Sequence, residues 1–304
     1  MRGVFVDANE ALAVIFERLT KSGDPGVRIH RDPDVASDQL ADVLGGAEIA
    51  IVDHTALPTE VARKCSGLKH VVFLGTGARS YMNPEELAEL GIAVHLIRGY
   101  GDTAVAEATI ALMWAAARGI ARMDREMRAG NWLREDGMQL TGKTLGLVGF
   151  GGIAAEVARI ALGSGMRVIA WNRSPKKSSK VEFVELDELL TESDVVSLHL
   201  LLNDETRGFI SRACIEAMKP GVILVNTARG ALVDEDAMIE ALQSGQIRHA
   251  GLDVFNIEPL PVDHPLTKLS NVTLSAHSAF RTPEASENLI EAAWQHCRRI
   301  VKGK

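Results

Sequence analysis

The stretch TLGLVGFGGIAAEVARIAL, Thr144–Leu162, decides how the rest of the chain is read. A short apolar run, TLGLV, enters a glycine-rich turn, and GIAAEVARIAL leaves it with helical periodicity. Gly149, Gly151 and Ala154 spell G-x-G-x-x-A. In that pattern the first glycine permits a tight turn and the second leaves room for a pyrophosphate against the backbone. The small third residue lets the helix pack closely on the strand. Phosphates would then lie on the free N–H groups and positive dipole end of the helix. The glycine pattern alone is a weak signal, shared with turns in unrelated α/β proteins. Here the strand before, the helix after and a second strand, RVIAW (Arg167–Trp171), complete a dinucleotide-binding unit.

Outward from that second strand runs RVIAWNRSPKK, Arg167–Lys177, which contains no carboxylate. About 20 residues past such a turn an Asp or Glu usually holds the ribose hydroxyls of NAD. Asn172 stands there instead. An Asp would repel a 2′-phosphate, whereas an Asn does not. Arg173 can grip such a phosphate with two donors; Ser174 adds a hydroxyl, and Lys176 and Lys177 add positive charge. One charge-assisted contact is worth about 1.5–3 kcal/mol, enough to set a preference. The plain alternative is a solvated basic loop. The expectation is NADP(H) in preference to NAD(H), with NAD(H) still possible.

Further out, β-branched runs alternate with helical patterns along the whole chain: GVFV, EIAIVD, HVVFLG and IAVHLI, then TLGLVGF, RVIAW, DVVSLHL, GVILVN and AGLDVF. Runs apolar on both faces suit buried parallel strands with crossover helices between them. The first set ends near Arg98. One long helical stretch is expected after GYGD, through AVAEATIALMWAAARGIARMDREMRAG, with Asp102 or Thr103 as N-cap. The final helix, from Thr282, has Thr282 as cap and Pro283 in its first turn. It is expected to pack back on the first domain. Trp114, Trp132 and Trp294 are read as helical packing residues.

The bulk numbers limit the function classes. The 304 residues suffice for two domains, and 46% hydrophobic with 24% charged content is ordinary for a globular protein. A formal net charge of −7 argues against binding nucleic acid or an anionic membrane. Cys65, Cys214 and Cys297 form no disulfide framework and no metal-ligand spacing. The N-terminal MRGVFVDANEALAVIFERL has no signal-peptide pattern and no run is long enough to span a bilayer, so the expected location is the cytoplasm.

An arginine, two carboxylates and a histidine follow strands of the second set. VILVNTARGALVDEDAM puts Arg229 on the loop leaving one strand. HAGLDVFNIEPLP puts Asp253 at a strand end and Glu258 beyond it. NVTLSAHSAFRTPEA puts His277 just past the last strand. Ligand crevices of open α/β sheets lie off the carboxyl ends of the strands, so these side chains could converge. Arginine binds a carboxylate and polarises a neighbouring carbonyl. A carboxylate beside a histidine favours the imidazolium, a proton donor near neutral pH. Singly, each has a plain reading as an ion pair, a turn carboxylate or a surface polar group; the joint arrangement outweighs those readings.

With GTGARSY, GYGDTAVAEATIAL, GKTLGLVGFGGIA, MKPGVILVNTARGALVDEDAMIEAL, AGLDVFNIEPLP and LSAHSAFRT in this order, the chain resembles the D-isomer-specific 2-hydroxyacid dehydrogenases over nearly its full length. The resemblance implies an α/β fold in which a Rossmann domain, about 99–281, is inserted into a flavodoxin-like substrate domain, 1–98 plus 282–304. It implies an active site in the cleft between them and a homodimer formed through the Rossmann domains, with the helical stretch after Asp102 as part of the arm. The family's arginine falls on Arg229, its glutamate on Glu258 and its histidine, the proton donor to the carbonyl, on His277. Asp253 matches the aspartate that bonds the nicotinamide carboxamide. The backbone of Gly75, Thr76, Gly77 and Ala78 matches the loop that receives the substrate carboxylate. The expected cofactor set is Val105, Gly149, Gly151, Gly152, Ile153, Asn172, Arg173, Ser174, Lys176, His199, Thr206, Thr227, Ala228 and Asp253, with no metal.

The chain departs from the family pattern at Leu201 and Ala276, where proline is usual, and at Arg79, where an acid is more common. Arg79 either favours an acidic substrate or points to solvent. Tyr81 and the loop DHTALP, Asp53–Pro58, are expected on the substrate side, with His54 as a wall or exposed residue. The leading reading is NADPH-dependent reduction of a small 2-oxo acid of the glyoxylate or hydroxypyruvate type to the D-2-hydroxy acid. The alternatives are an NAD-dependent biosynthetic dehydrogenase of the phosphoglycerate type and a non-catalytic nucleotide-sensing protein on the same fold.

Overall fold

Strand runs that are apolar on both faces need cover on both faces, and here they form two parallel sheets with helices packed against each side. The computed structural model describes residues 1–304 apart from Pro33, Pro175 and Lys304. The chain divides into two units, Met1–Gly101 with Arg281–Lys304, and Asp102–Phe280.

In the first unit β1 (Arg2–Phe5), β2 (Gly26–Ile29), β3 (Ile49–Val52), β4 (His70–Phe73) and β5 (Ala93–Leu96) lie in the order β2-β1-β3-β4-β5, all parallel. This is the flavodoxin-like order. One face is closed by Leu40, Leu44 and Leu87, the other by Phe5, Phe16, Ile290 and Trp294. The helix Pro283–Val301 starts as expected, with the Thr282 side chain accepting from the Ala285 N–H at 3.1 Å. It brings Trp294 onto Phe16, with ring centroids 4.3 Å apart, and the indole N–H donates to the Phe16 carbonyl at 3.1 Å. Stacking with the polar tip satisfied fixes how the chain's last helix rests on this sheet.

The second unit is a Rossmann domain. Its strands are β6 (Thr144–Val148), β7 (Arg167–Trp171), β8 (Glu182–Phe183), β9 (Val195–Leu198), β10 (Val222–Asn226), β11 (Ile247–Leu252) and β12 (Val272–Leu274). Their order is β12-β11-β10-β9-β6-β7-β8. The chain reverses its direction of travel between β6 and β9, which opens a crevice at their carboxyl ends. Register keeps the strand ends level: Val148 faces Leu198, Leu198 faces Asn226, Asn226 faces Leu252 and Leu252 faces Leu274. Loops leaving β6, β9, β10, β11 and β12 therefore start from one line, and Gly149–Ile153, His199, Thr227–Arg229, Asp253, Glu258 and His277 lie on or near them, with Asn172, Arg173, Ser174 and Lys176 on the loop after β7.

Three expectations need correction. The single helical stretch is two helices, Asp102–Arg118 and Ile120–Arg128, bent by 66° at Gly119. Gly119 has a left-handed φ of 60°, the conformation that terminates helices and suits glycine. Asp102 is the first helical residue, so neither it nor Thr103 is an N-cap; Asp102 acts instead as an acidic first-turn residue. Trp132 lies outside any helix and is 75% exposed, so it is not a packing residue. β2 and β8 had no legible signal because both are short sheet edges with little burial. Among the described residues no single helix is long and apolar enough to cross a membrane.

Candidate active site

The glycine turn has the shape its sequence promised. Gly149 has φ +92°, and a Cβ there would sit 2.7 Å from the His199 carbonyl oxygen, so both conformation and space demand glycine. Nothing lies within 4 Å of a Cβ built on Gly151. No side chain caps the helix Gly152–Gly163 that begins there, so its first N–H groups remain available to a phosphate. Ala154 is fully buried against the sheet, and Ile153 is half-buried against the same core. At Gly152 the Asp102 carboxylate fills the space a side chain would need. Burial, with Glu156 adding to it, holds the Asp102 carboxyl above its ordinary range. An open backbone cradle with uncapped donors fits a dinucleotide pyrophosphate.

Around that cradle several expected cofactor residues are tied to one another. The Thr109 hydroxyl donates to the Val105 carbonyl at 2.7 Å and lies 2.8 Å from the Thr227 hydroxyl. The Ala228 N–H donates to Asn226 Oδ1 at 3.0 Å. The His199 ring lies 2.9 Å from the Ser197 hydroxyl, and burial pushes its imidazole down to about 4, so it is neutral at physiological pH. Thr206 is occupied within its own loop: its hydroxyl donates to the Leu201 carbonyl at 2.7 Å.

The basic loop is more structured than its composition suggested. Asn172 accepts from the Phe150 N–H at 3.0 Å and donates to the Ser174 carbonyl at 2.7 Å. It thus fastens the glycine turn to the loop after β7, using both halves of its amide; an aspartate could not donate the second bond. The Lys176 ammonium donates to the Phe150 carbonyl at 2.6 Å. Arg173 Nη1 is paired with Glu205 Oε2 at 2.5 Å, both side chains being exposed. Sequence reading missed Glu205, because it comes from the loop after β9.

His277 and Glu258 meet. His277 Nδ1 lies 2.6 Å from Glu258 Oε2, and the other Glu258 oxygen accepts from the Phe255 N–H at 2.9 Å. Among the described residues the histidine is the one non-glycine with positive φ, 48°. That conformation costs on the order of 1–3 kcal/mol, and the surroundings enforce it. The His277 N–H donates to the Asp253 carbonyl oxygen at 2.7 Å. The buried Asp253 carboxylate accepts from the Ser278 and Ala279 N–H groups at 3.0 and 2.9 Å and from the Ser275 hydroxyl. These bonds make Asp253 the clamp of the histidine loop, a role the sequence did not reveal.

Arg229 follows β10, its loop held by Asn226, whose side chain donates to the Arg229 carbonyl at 2.9 Å. A Cβ on Gly230 would lie 2.2 Å from the Phe255 carbonyl carbon, so the Arg229 loop is pressed onto the loop that carries Glu258. The guanidinium donates to the Ala228 carbonyl at 2.6 Å, and no carboxylate among the described residues pairs with it. It keeps donors for an anionic ligand.

In the first unit, Gly77 precedes a short 3-10 turn, Ala78–Ser80, which follows Gly75 and Thr76 at the end of β4. The neighbouring loop is held by Asp7, fully buried, which accepts from the N–H groups of Asp53, His54 and Thr55 at 2.9, 2.8 and 2.7 Å. Asp7 was likewise missed. Arg79 is exposed and paired with Glu85.

The crevice at the switch point and the histidine–glutamate pair beside it define a dinucleotide-dependent oxidoreductase. A family model for the NAD-binding domain of D-isomer-specific 2-hydroxyacid dehydrogenases matches residues 110–279. A hydroxypyruvate reductase from Thermotoga maritima is 39% identical over 83% of this chain and 84% of its own. A glyoxylate reductase from Aeropyrum pernix is 43% identical over 71% of this chain and 68% of its own. Among solved structures, an acyclic imino acid reductase in complex with NADPH and D-Arg superposes with a TM-score of 0.89 at 29% identity, covering 100% of this chain and 98% of that one. The chain belongs to the D-isomer-specific 2-hydroxyacid dehydrogenase family.

Proposed function

We propose that the protein reduces a small 2-oxo acid, of the glyoxylate or hydroxypyruvate type, to the D-2-hydroxy acid with NADPH. The observation that carries this is the 2.6 Å His277–Glu258 pair beside the loop of a carboxylate-free Arg229. The segment Gly149–Ile153 would hold the pyrophosphate of a nicotinamide cofactor and Arg173 its 2′-phosphate, and that cofactor would supply the hydride for the carbonyl carbon. His277 Nε2 gives its proton to the carbonyl oxygen as charge develops there. Glu258 holds the Nδ1 proton, which fixes the tautomer and the orientation of the ring. Arg229 binds the 2-oxo acid and polarises its carbonyl. Within the first unit, the N–H groups of Thr76, Gly77 and Ala78 would suit a carboxylate, the Gly75 N–H being bonded to the Phe73 carbonyl at 2.8 Å.

Support for NADP(H) comes from Arg173, Lys176 and the neutral Asn172 where an acid would repel a phosphate. Support for a homodimer comes from exposed Ile120, Met127 and Trp132 on the second unit, 52, 56 and 75% accessible; light scattering checks it. The activity test is NADPH and NADH oxidation with a panel of 2-oxo acids that includes glyoxylate, hydroxypyruvate and the phosphorylated acids. Turnover of a phosphorylated acid with NADH alone would point to the biosynthetic reading. Tight nucleotide binding without turnover of any acid would make the protein a sensor.

A further inference from the structure

Arg173 and Glu205 reach each other across the phosphate turn. β7 and β9 are the two neighbours of β6, so the loops leaving them stand on opposite sides of the turn that leaves β6. At the level of the sheet they are on the order of 10 Å apart. The ion pair closes that span. The same two segments are joined by the rings of Trp171 and Phe209, with centroids 5.0 Å apart.

Glu205 owes its place to a well-bonded turn. Asn203 Oδ1 accepts from the N–H groups of Glu205 and Thr206, each at 3.0 Å, and the Thr206 hydroxyl accepts from the Asn203 N–H at 2.8 Å. The carboxylate is therefore presented by a fixed backbone to the same guanidinium that would hold a 2′-phosphate. Wherever Arg173 can reach a ribose substituent, Glu205 is near that substituent too.

We propose that Glu205 is the ribose-reading acid of this site, delivered from the loop after β9, and that it competes with the 2′-phosphate for Arg173. This rests on the reading of Arg173 as the 2′-phosphate ligand. With NADP(H), the phosphate replaces the carboxylate on the guanidinium and Glu205 turns to solvent. With NAD(H), the pair stays closed and the carboxylate accepts from a ribose hydroxyl. The preference for NADP(H) is then shallower than Arg173 alone would set, and Glu205 tunes it.

The test uses half-ligands, so no turnover is needed: calorimetric titration of the intact protein with 2′,5′-ADP and with 5′-AMP. Glu205 is exposed, so Glu205→Gln leaves the fold in place. The variant should bind 2′,5′-ADP about 2- to 5-fold tighter, the scale of an exposed ion pair, and 5′-AMP no tighter than the parent. An equal shift for both ligands, or no shift, overturns the proposal. Arg173→Ala separates the two readings. If it abolishes the preference for 2′,5′-ADP while Glu205→Gln leaves the ratio unchanged, only the role of Glu205 fails. If Arg173→Ala weakens both ligands alike, the NADP(H) reading fails and this proposal with it.

Discussion

His277 Nδ1 and Glu258 Oε2 stand 2.6 Å apart although 19 residues separate them in the chain. The pairing needs β11 and β12 to be neighbours in register, the Asp253 clamp behind the histidine, and the Phe255 N–H on the far oxygen of the glutamate. It leaves Nε2 as the nitrogen that can face a substrate. His277→Ala should lower turnover about 10²- to 10⁴-fold, the range for loss of a general acid, with nucleotide affinity nearly intact. Glu258→Gln should lower turnover, because a neutral amide holds the Nδ1 proton less strongly than a carboxylate does. Unchanged turnover in that variant would remove Glu258 from this role.

Asp253→Asn tests the clamp. The carboxylate accepts from two backbone N–H groups and a hydroxyl, and an amide nitrogen in place of one oxygen would face a donor. The loss is expected at about 1–3 kcal/mol of stability, and turnover should fall as the His277 loop relaxes. Asp253→Glu keeps the charge and misplaces it, so it should also lose turnover. Full activity in both variants would show that the loop holds His277 without them.

Gly230→Ala addresses the junction between the arginine loop and the glutamate loop. A methyl group there would stand 2.2 Å from the Phe255 backbone, which cannot yield as a side-chain tip would. The two loops must part, carrying Arg229 away from His277. The expected result is a rise in KM for the 2-oxo acid together with a fall in kcat, while 5′-AMP binding is retained. Unchanged kinetics would mean that the loops need not touch for catalysis.

Local signals and long-range ones divide what could be read in advance. The glycine turn, the crossover pattern and the Thr282–Pro283 helix start depend on neighbours in sequence, and they stand as the chain reads. Arg229, Glu258 and His277 were found because strand ends collect on one edge of a parallel sheet, and the fold joins two of them directly. Glu205 and Asp7 were illegible because each acts on residues far along the chain, 32 residues away for the Arg173 bond and 46 for the Asp53 bond. The helix break at Gly119 was passed over because a lone glycine in a helical pattern carries little weight; its left-handed φ of 60° is what turns the chain there. Asn172 had a second meaning as well, since its amide fastens the glycine turn besides leaving out a charge.

His249 on β11 sets an acid limit on stability. It is 3% exposed, with its Nε2 2.9 Å from the Thr273 hydroxyl. Burial, helped by Arg125, Arg248 and Arg122, pushes its imidazole from 6.5 down to about 4. Above pH 6.5 the ring is neutral in both folded and unfolded chains, and it adds no pH dependence. As pH falls through 6.5 the unfolded chain takes up a proton that the folded chain refuses, so stability declines until about pH 4, where the folded ring titrates too. A gap of roughly 2.5 between the two values corresponds to a loss of roughly 3 kcal/mol. His199, also pushed to about 4, contributes a parallel decline. Denaturant melts at a series of pH values should therefore show the variant His249→Gln losing markedly less stability between pH 6.5 and 4 than the parent. Equal losses in the two proteins would mean that the acid sensitivity arises elsewhere.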